Sequence, residues 1–206
     1  MNKTKKGVCL FALGLVLVGI NFSINTGINY GFIFGVNEGV NKGVNTYFLE
    51  ALIGEQFRID IFFNPFGYLI MLLGLFFIDG YGRYMRNARI FAAAGCVADI
   101  IKLVLPFVLS QYQLLQPLIL LIAAELFCMA VVMYSFMVIC KTQVDNFVYM
   151  EVGKDLTFAM ELYIFASAIS YIILPFAALY VYFARGAYVL VTFLSYGAVF
   201  YYAFRP

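Results

Sequence analysis

The segment RIDIFFNPFGYLIMLLGLFFIDGYGRYMRNARIFA, residues 58–92, decides how the chain is read. Asp60 precedes an Asn64-Pro65 pair. Gly67 and Tyr68 follow, then an apolar run from Leu69 to Ile78, then arginines at 83, 86 and 89. Acid, apolar run and arginine cluster read in that order as outer surface, bilayer and inner surface. The residue before a proline avoids the helical region, and proline suits a first helical turn. A continuous helix is therefore expected from Pro65, with Ile59 to Asn64 extended or turning ahead of it. Asp60 and Asn64 make this a candidate membrane-entry site.

The composition agrees with that reading. Of 206 residues, 65% are hydrophobic and only 12% are charged. Soluble domains carry about 25% charged residues, so a water-soluble globule is excluded. A net charge of +2 with no basic face gives no support to nucleic-acid binding. There is no histidine, which removes the commonest general base and transition-metal ligand. Cys9, Cys96, Cys128 and Cys140 form no C-x-x-C pair and fall in or beside apolar runs. They read as small hydrophobes, without a disulfide or metal role. No metal or other cofactor is expected.

Lipid cannot hydrogen-bond a backbone, so apolar runs of about 20 residues must be helices. Six are expected, at 7–24, 61–79, 88–109, 117–140, 157–183 and 187–204. The first has a basic start but no A-x-A-like cleavage site after it, and is read as a retained span. The expected fold class is all-α: a polytopic membrane protein, a six-transmembrane-helix bundle forming one integral membrane domain, 1–206. An amphipathic outer-interface helix, Val44 to Phe57, is expected between spans one and two.

Lysine and arginine set the orientation. With the N-terminus inside, nine lie on the inner side: Lys3, Lys5, Lys6, Arg83, Arg86, Arg89, Lys141, Lys154 and Arg205. Lys42, Arg58 and Arg185 lie outside. Both termini are expected in the cytoplasm of a bacterial cell, with the chain in its cytoplasmic membrane. Tyr180, Tyr182 and Tyr188 read as one interfacial belt, Tyr201 and Tyr202 as the other.

The outer segment 25–60 contains a repeat: Gly35-Val-Asn-Glu, Gly39-Val-Asn-Lys and Gly43-Val-Asn-Thr, with Gly27-Ile-Asn-Tyr an earlier copy. A period of four fits a glycine-striped helix that packs closely. The same residues fit a period-two strand. Five glycines cost a solvated helix about 5 kcal/mol relative to alanine, which favours a poorly ordered or partly helical surface segment.

Ile59-Asp60-Ile61, Phe66-Gly67-Tyr68-Leu69-Ile70, Gly74-Leu75 and the basic turn before the next apolar helix resemble a family of small multipass membrane proteins from Gram-positive bacteria. The first span, Gly14-Leu15 through Asn21, is similar to that family's first span. The chain departs from the pattern at Phe63-Asn64-Pro65, where the family tends to Pro-Asp, and in its long first outer loop. The resemblance implies a multipass membrane fold and no activity.

Span three carries Asp99 and Lys102, three residues apart and so neighbours on a helix. Charges at that depth cost a few kcal/mol each. Pro106 cannot donate a backbone hydrogen bond, which leaves the Lys102 carbonyl free. Span four is expected to start at Pro117 and contains Glu125. Counted from a hairpin turn at Gln111–Gln116, Lys102 and Glu125 are equally deep, roughly 17 Å at 1.5 Å per residue, and are expected to pair. Asp99, Lys102 and Glu125 thus form a candidate intramembrane polar site. One reading is a neutralised lock on a helical hairpin; the other is a site for a solute, ion or proton.

Glu161 is expected at headgroup depth. Ala166, Ser167, Ala168 and Ser170 read as close helix packing. No P-loop, Rossmann glycine pattern, H-E-x-x-H or G-x-S-x-G occurs, so no catalytic residue is assigned. Carboxylates at Asp60, Asp79 and Glu161 leave a lipid-facing enzyme as a third choice, but they fall on opposite membrane faces. No repeat relates the two halves, unlike many transporters. The leading expectation is a structural or interaction subunit of a membrane complex. Its partners would be the lipid bilayer and a membrane protein or a second copy, with no nucleic acid. The alternative is a small-solute transporter or solute-binding membrane subunit, similar in outline to bacterial vitamin-uptake systems.

Overall fold

A computed structural model describes residues 3–19, 23–29, 56–60, 64–78, 82–108, 111–142, 154–174 and 185–204. Its helices are α1 (Lys3–Gly19), α2 (Asn64–Phe77), α3 (Arg83–Val108), α4 (Gln111–Thr142), α5 (Lys154–Ile173) and α6 (Arg185–Phe204). Strands β1 (Ser23–Asn29) and β2 (Gln56–Asp60) form an antiparallel ribbon between α1 and α2. Each helix packs on the next in sequence, and α6 returns to α1, so the six make a ring. Three segments are long and apolar enough to cross a membrane: Gln116–Thr142, Asp155–Ile173 and Gly186–Phe204. The protein is a helical membrane protein.

The ring is filled by side chains that meet at its centre. Phe11 of α1 stacks on Phe136 of α4 with ring centroids 4.2 Å apart. Met71, Leu75, Met133, Leu156 and Tyr163 are fully buried around them. Phe66, Leu69, Leu73 and Phe76 of α2 face outward, as do Leu190, Phe193 and Leu194 of α6. Such an apolar exterior suits hydrocarbon as the solvent, because a soluble monomer rarely exposes contiguous apolar surface on this scale.

Helices α1 and α2 meet backbone to backbone. A Cβ on Gly7 would lie 2.7 Å from the Gly74 carbonyl oxygen, and one on Gly14 would lie 2.7 Å from that of Gly67. Each helix offers two glycines seven residues apart, and the pairing runs antiparallel. Small residues allow this approach where water is absent. At the far end of α2, Arg89 of α3 donates from Nε and Nη2 to the Leu75 carbonyl at 3.2 and 2.9 Å. Its guanidinium covers the Phe76 ring at 4.7 Å. One arginine thus supplies two donors to a helix end with too few.

Several boundaries differ from those expected. The first helix stops at Gly19, and β1 takes over at Ser23 instead of helix continuing to residue 24. Gly27 to Asn29, the first copy of the repeat, is strand, the period-two alternative. Ser23, Ile24 and Asn25 pair with Asp60, Ile59 and Arg58, and the register shifts before Asn29 pairs with Gln56. Backbone pairing across the ribbon replaces helical bonds that glycine would weaken. Gln56 and Phe57, placed in an interfacial helix, are strand; the remainder of the repeat and of that helix lies outside the described residues. Helix α5 ends at Ile173, with Leu174 in a turn; the remainder of the expected span, 175–183, lies outside the described residues. Helix α3 begins at Arg83, not at residue 88, and so takes in the arginine cluster. Helix α4 begins at Gln111, so Pro117 lies inside it rather than at its start. Nothing in Gln111–Gln116 stops a helix, since glutamine and leucine are good helix formers.

Candidate functional site

The polar residues of the α3–α4 hairpin come together. Lys102 Nζ lies 2.6 Å from Asp99 Oδ1 and 2.7 Å from Glu125 Oε2. Asp99 is one turn before Lys102 on α3, so that contact is local. Glu125 comes from α4, so the second contact fixes how the two helices face each other.

The expected equal depth was the wrong reason for the right pair. With α3 ending at Val108 and α4 beginning at Gln111, Glu125 lies about eight residues, or 12 Å, further from the turn than Lys102. Side-chain direction closes most of this gap. Helical side chains lean toward their own N-terminus. Lys102 therefore leans away from the turn and Glu125 leans back toward it, and two long side chains meet between their backbones.

The accounting of charge and donors is incomplete. Two carboxylates face one ammonium, a formal charge of −1. Asp99 Oδ2 and Glu125 Oε1 are buried and have no hydrogen-bond partner, and neither has Asn64 Oδ1. All three are acceptors. Asn64 opens α2, and the next residue, Pro65, accepts a 3.7 Å bond from the Cys96 thiol. Cys96 is one helical turn before Asp99, so the start of α2 abuts α3 close to the charged residues. The backbone of Asp60 pairs with Ser23 in the ribbon; its side chain lies outside the described residues. The site is not sealed: Asp99 is 2% exposed, but the Lys102 and Glu125 side chains are 25% and 18% exposed.

A second polar group lies between α5 and α6. Tyr196 donates to the Tyr163 hydroxyl at 2.9 Å, and the Tyr163 and Tyr188 hydroxyls are 3.0 Å apart. Ser167 returns its hydroxyl to the Tyr163 carbonyl, and Ser195 crosses from α6 to the Ala159 carbonyl, each at 2.8 Å. Tyr188, expected in an interfacial belt, lies in the first turn of α6 and joins this chain of phenols. Tyr163 and Tyr196 were not anticipated. Their signal was that a buried phenol needs a partner, and the two helices each carry one at packing positions. Buried Tyr68 of α2 packs against Gly95 and lies within electrostatic reach of Glu125, Asp99, Tyr163 and Tyr188.

At one end of the ring, Lys141 of α4 meets Glu161 of α5 at 3.3 Å in an exposed pair. The thiol of Cys9 reaches the Ala203 carbonyl at 3.3 Å, joining the start of α1 to the end of α6. The α1 lysines, the α3 arginines and Lys141 share this end. All four cysteines are buried and free. No protein family, curated protein or solved structure matches the chain.

Proposed function

We propose that the chain is a six-span subunit of a bacterial cytoplasmic membrane that works by associating with another membrane protein through the α3–α4 hairpin. One observation supports this reading: the Lys102 and Glu125 side chains that join α3 to α4 remain 25% and 18% exposed, so the ion pair is not sealed within the chain. A charge incompletely sealed at bilayer depth is costly, and a neighbouring protein that closes the hairpin removes that cost. The clustering of Lys3, Lys6, Arg83, Arg86 and Lys141 at one end supports a cytoplasmic assignment for that end and for both termini.

The test is photocrosslinking in living cells. An unnatural crosslinker at Ile101 of α3 should form an adduct that one at Phe193 of α6 does not, although both positions face outward. Equal adducts at the two positions, or none at either, would refute the reading. A second reading, a solute-binding membrane subunit, draws on the three unpartnered acceptor oxygens. It requires a rise in melting temperature with a cationic or amine metabolite.

A further inference from the structure

Two acids meet one base inside the α3–α4 hairpin, and the base contacts both. Glu125 sits well within the apolar span Gln116–Thr142, where a net charge is costly. The nearest other base along α3, Arg89, is ten residues before Asp99, about 15 Å along the helix axis. It is bound to the Leu75 carbonyl. The start of α2 is no substitute. A helix N-terminus carries about half an elementary charge, Pro65 has no N–H to give, and Asn64 Oδ1 is itself an unpartnered acceptor. Cys96 of α3, Cys128 of α4 and Tyr68 of α2 lie within electrostatic reach of the acids. Tyr163 of α5 and Tyr188 of α6 lie beyond Tyr68. Thiols and phenols are uncharged at neutral pH, so none of these supplies the missing positive charge.

The orphan atoms narrow what does. Asp99 Oδ2 and Glu125 Oε1 are buried acceptors without a donor, and Asp99 is almost wholly enclosed. The two carboxyl groups lie within hydrogen-bonding range of each other, yet two ionised carboxylates have no hydrogen to place between them. One proton taken from water corrects both faults. It forms an O–H bond on one acid, which brings the group to neutrality, and that O–H donates to the other acid. A bond of this kind, from a carboxyl to a carboxylate, is among the strong ones. Acids held this close bind a proton as a pair, not singly. A hard metal cation takes about six oxygen ligands, more than the three orphan oxygens offer. We infer that Asp99 and Glu125 together bind one proton, shared between their unpartnered oxygens while Lys102 stays charged. The partly exposed Lys102 and Glu125 side chains give it a way in. The proton needs no second chain and so does not depend on the association reading.

The experiment uses the full-length protein in lipid nanodiscs. Infrared spectroscopy separates the carbonyl stretch of a protonated carboxyl from the bands of a carboxylate, and the former shifts in heavy water. The wild type should show that band at neutral pH and lose it at alkaline pH. D99N and E125Q each leave one acid for one base, so each should lack it. The folded protein holds a proton that the separated acids of the unfolded chain release at neutral pH. Raising the pH above neutral should therefore lower the melting temperature of the wild type, and this fall should be absent from both variants. Either variant alone decides, so one that fails to fold does not spoil the test.

A wild type without the band at neutral pH would overturn the inference. A band that survives in D99N or in E125Q would place the proton on a lone acid and overturn the sharing. Stabilisation by sodium or methylguanidinium, with the band absent, would overturn it in favour of a site for that cation. Failure of the crosslinking test would leave the band where it is.

Discussion

Replacing Gly74 by alanine tests the backbone contact between α1 and α2. The added methyl would lie 2.4 Å from the Phe11 nitrogen and 2.6 Å from the Gly7 oxygen, both backbone atoms. Comfortable contact needs about 3.5 Å, so the two helices must part by about 1 Å, a gap that forfeits a quarter to a half of each contact along the seam. Overpacking of this kind costs about 2 kcal/mol, which for a chain of this size lowers the melting temperature by about 4–8 °C. Gly197 on α6 is the control, because nothing lies within 4 Å of a Cβ there. The same substitution at Gly197 removes a poor helix former and should leave stability unchanged or raise it by up to about 1 kcal/mol. The four buried, free cysteines supply the reporter: a thiol-reactive dye added in mild detergent fluoresces as the bundle opens. If G74A melts with the wild type, or G197A falls as far as G74A, the helices do not touch as described.

Lys102→Met leaves two carboxylates without their cation and should destabilise the protein by about 3–5 kcal/mol; a melting temperature like that of the wild type would contradict the hairpin lock. Glu125→Gln leaves one acid for one base, so its loss should be within about 1 kcal/mol in the same thermal assay. Arg89→Ala removes both bonds to the Leu75 carbonyl and should cost about 1.5–3 kcal/mol, with Arg89→Lys recovering part of it; equal stability of all three proteins would show that the α2 end does not need the guanidinium. Tyr163→Phe deletes the hydroxyl between Tyr196 and Tyr188 and should cost about 1–3 kcal/mol, more than Tyr188→Phe. A double-mutant cycle of Tyr163 with Tyr196 that gives no coupling energy would remove the hydrogen-bonded chain.

The helices were legible because lipid leaves backbone polar groups no other partner, so apolar length alone announces them. The pairing of Lys102 with Glu125 was legible because an unpaired charge in hydrocarbon is costly and few candidates lie nearby. What was not legible depended on contact between distant segments. Gly7 and Gly14 repeat at the same interval as Gly67 and Gly74, yet one interval acquires meaning only against the other. The denser glycine repeat downstream was the more visible pattern, and its first copy forms a strand because a pairing partner exists at Gln56–Asp60. The α4 start was misread because glutamines resemble a turn in composition while behaving as helix formers. Tyr163 and Tyr196 were not legible along the chain, because the meeting of their hydroxyls depends on how α5 packs on α6.

The seam between α1 and α6 has a consequence for biosynthesis. All other neighbours in the ring are consecutive in the chain, so each can dock as soon as it leaves the ribosome and enters the bilayer. The first helix, already married to the second through its glycines, must hold its other flank open until the last helix emerges. During that interval the Cys9 thiol, later closed off by the Ala203 carbonyl, is unprotected. Stalled nascent chains of increasing length, probed with a membrane-permeant maleimide, should lose labelling at Cys9 only after α6 has been released.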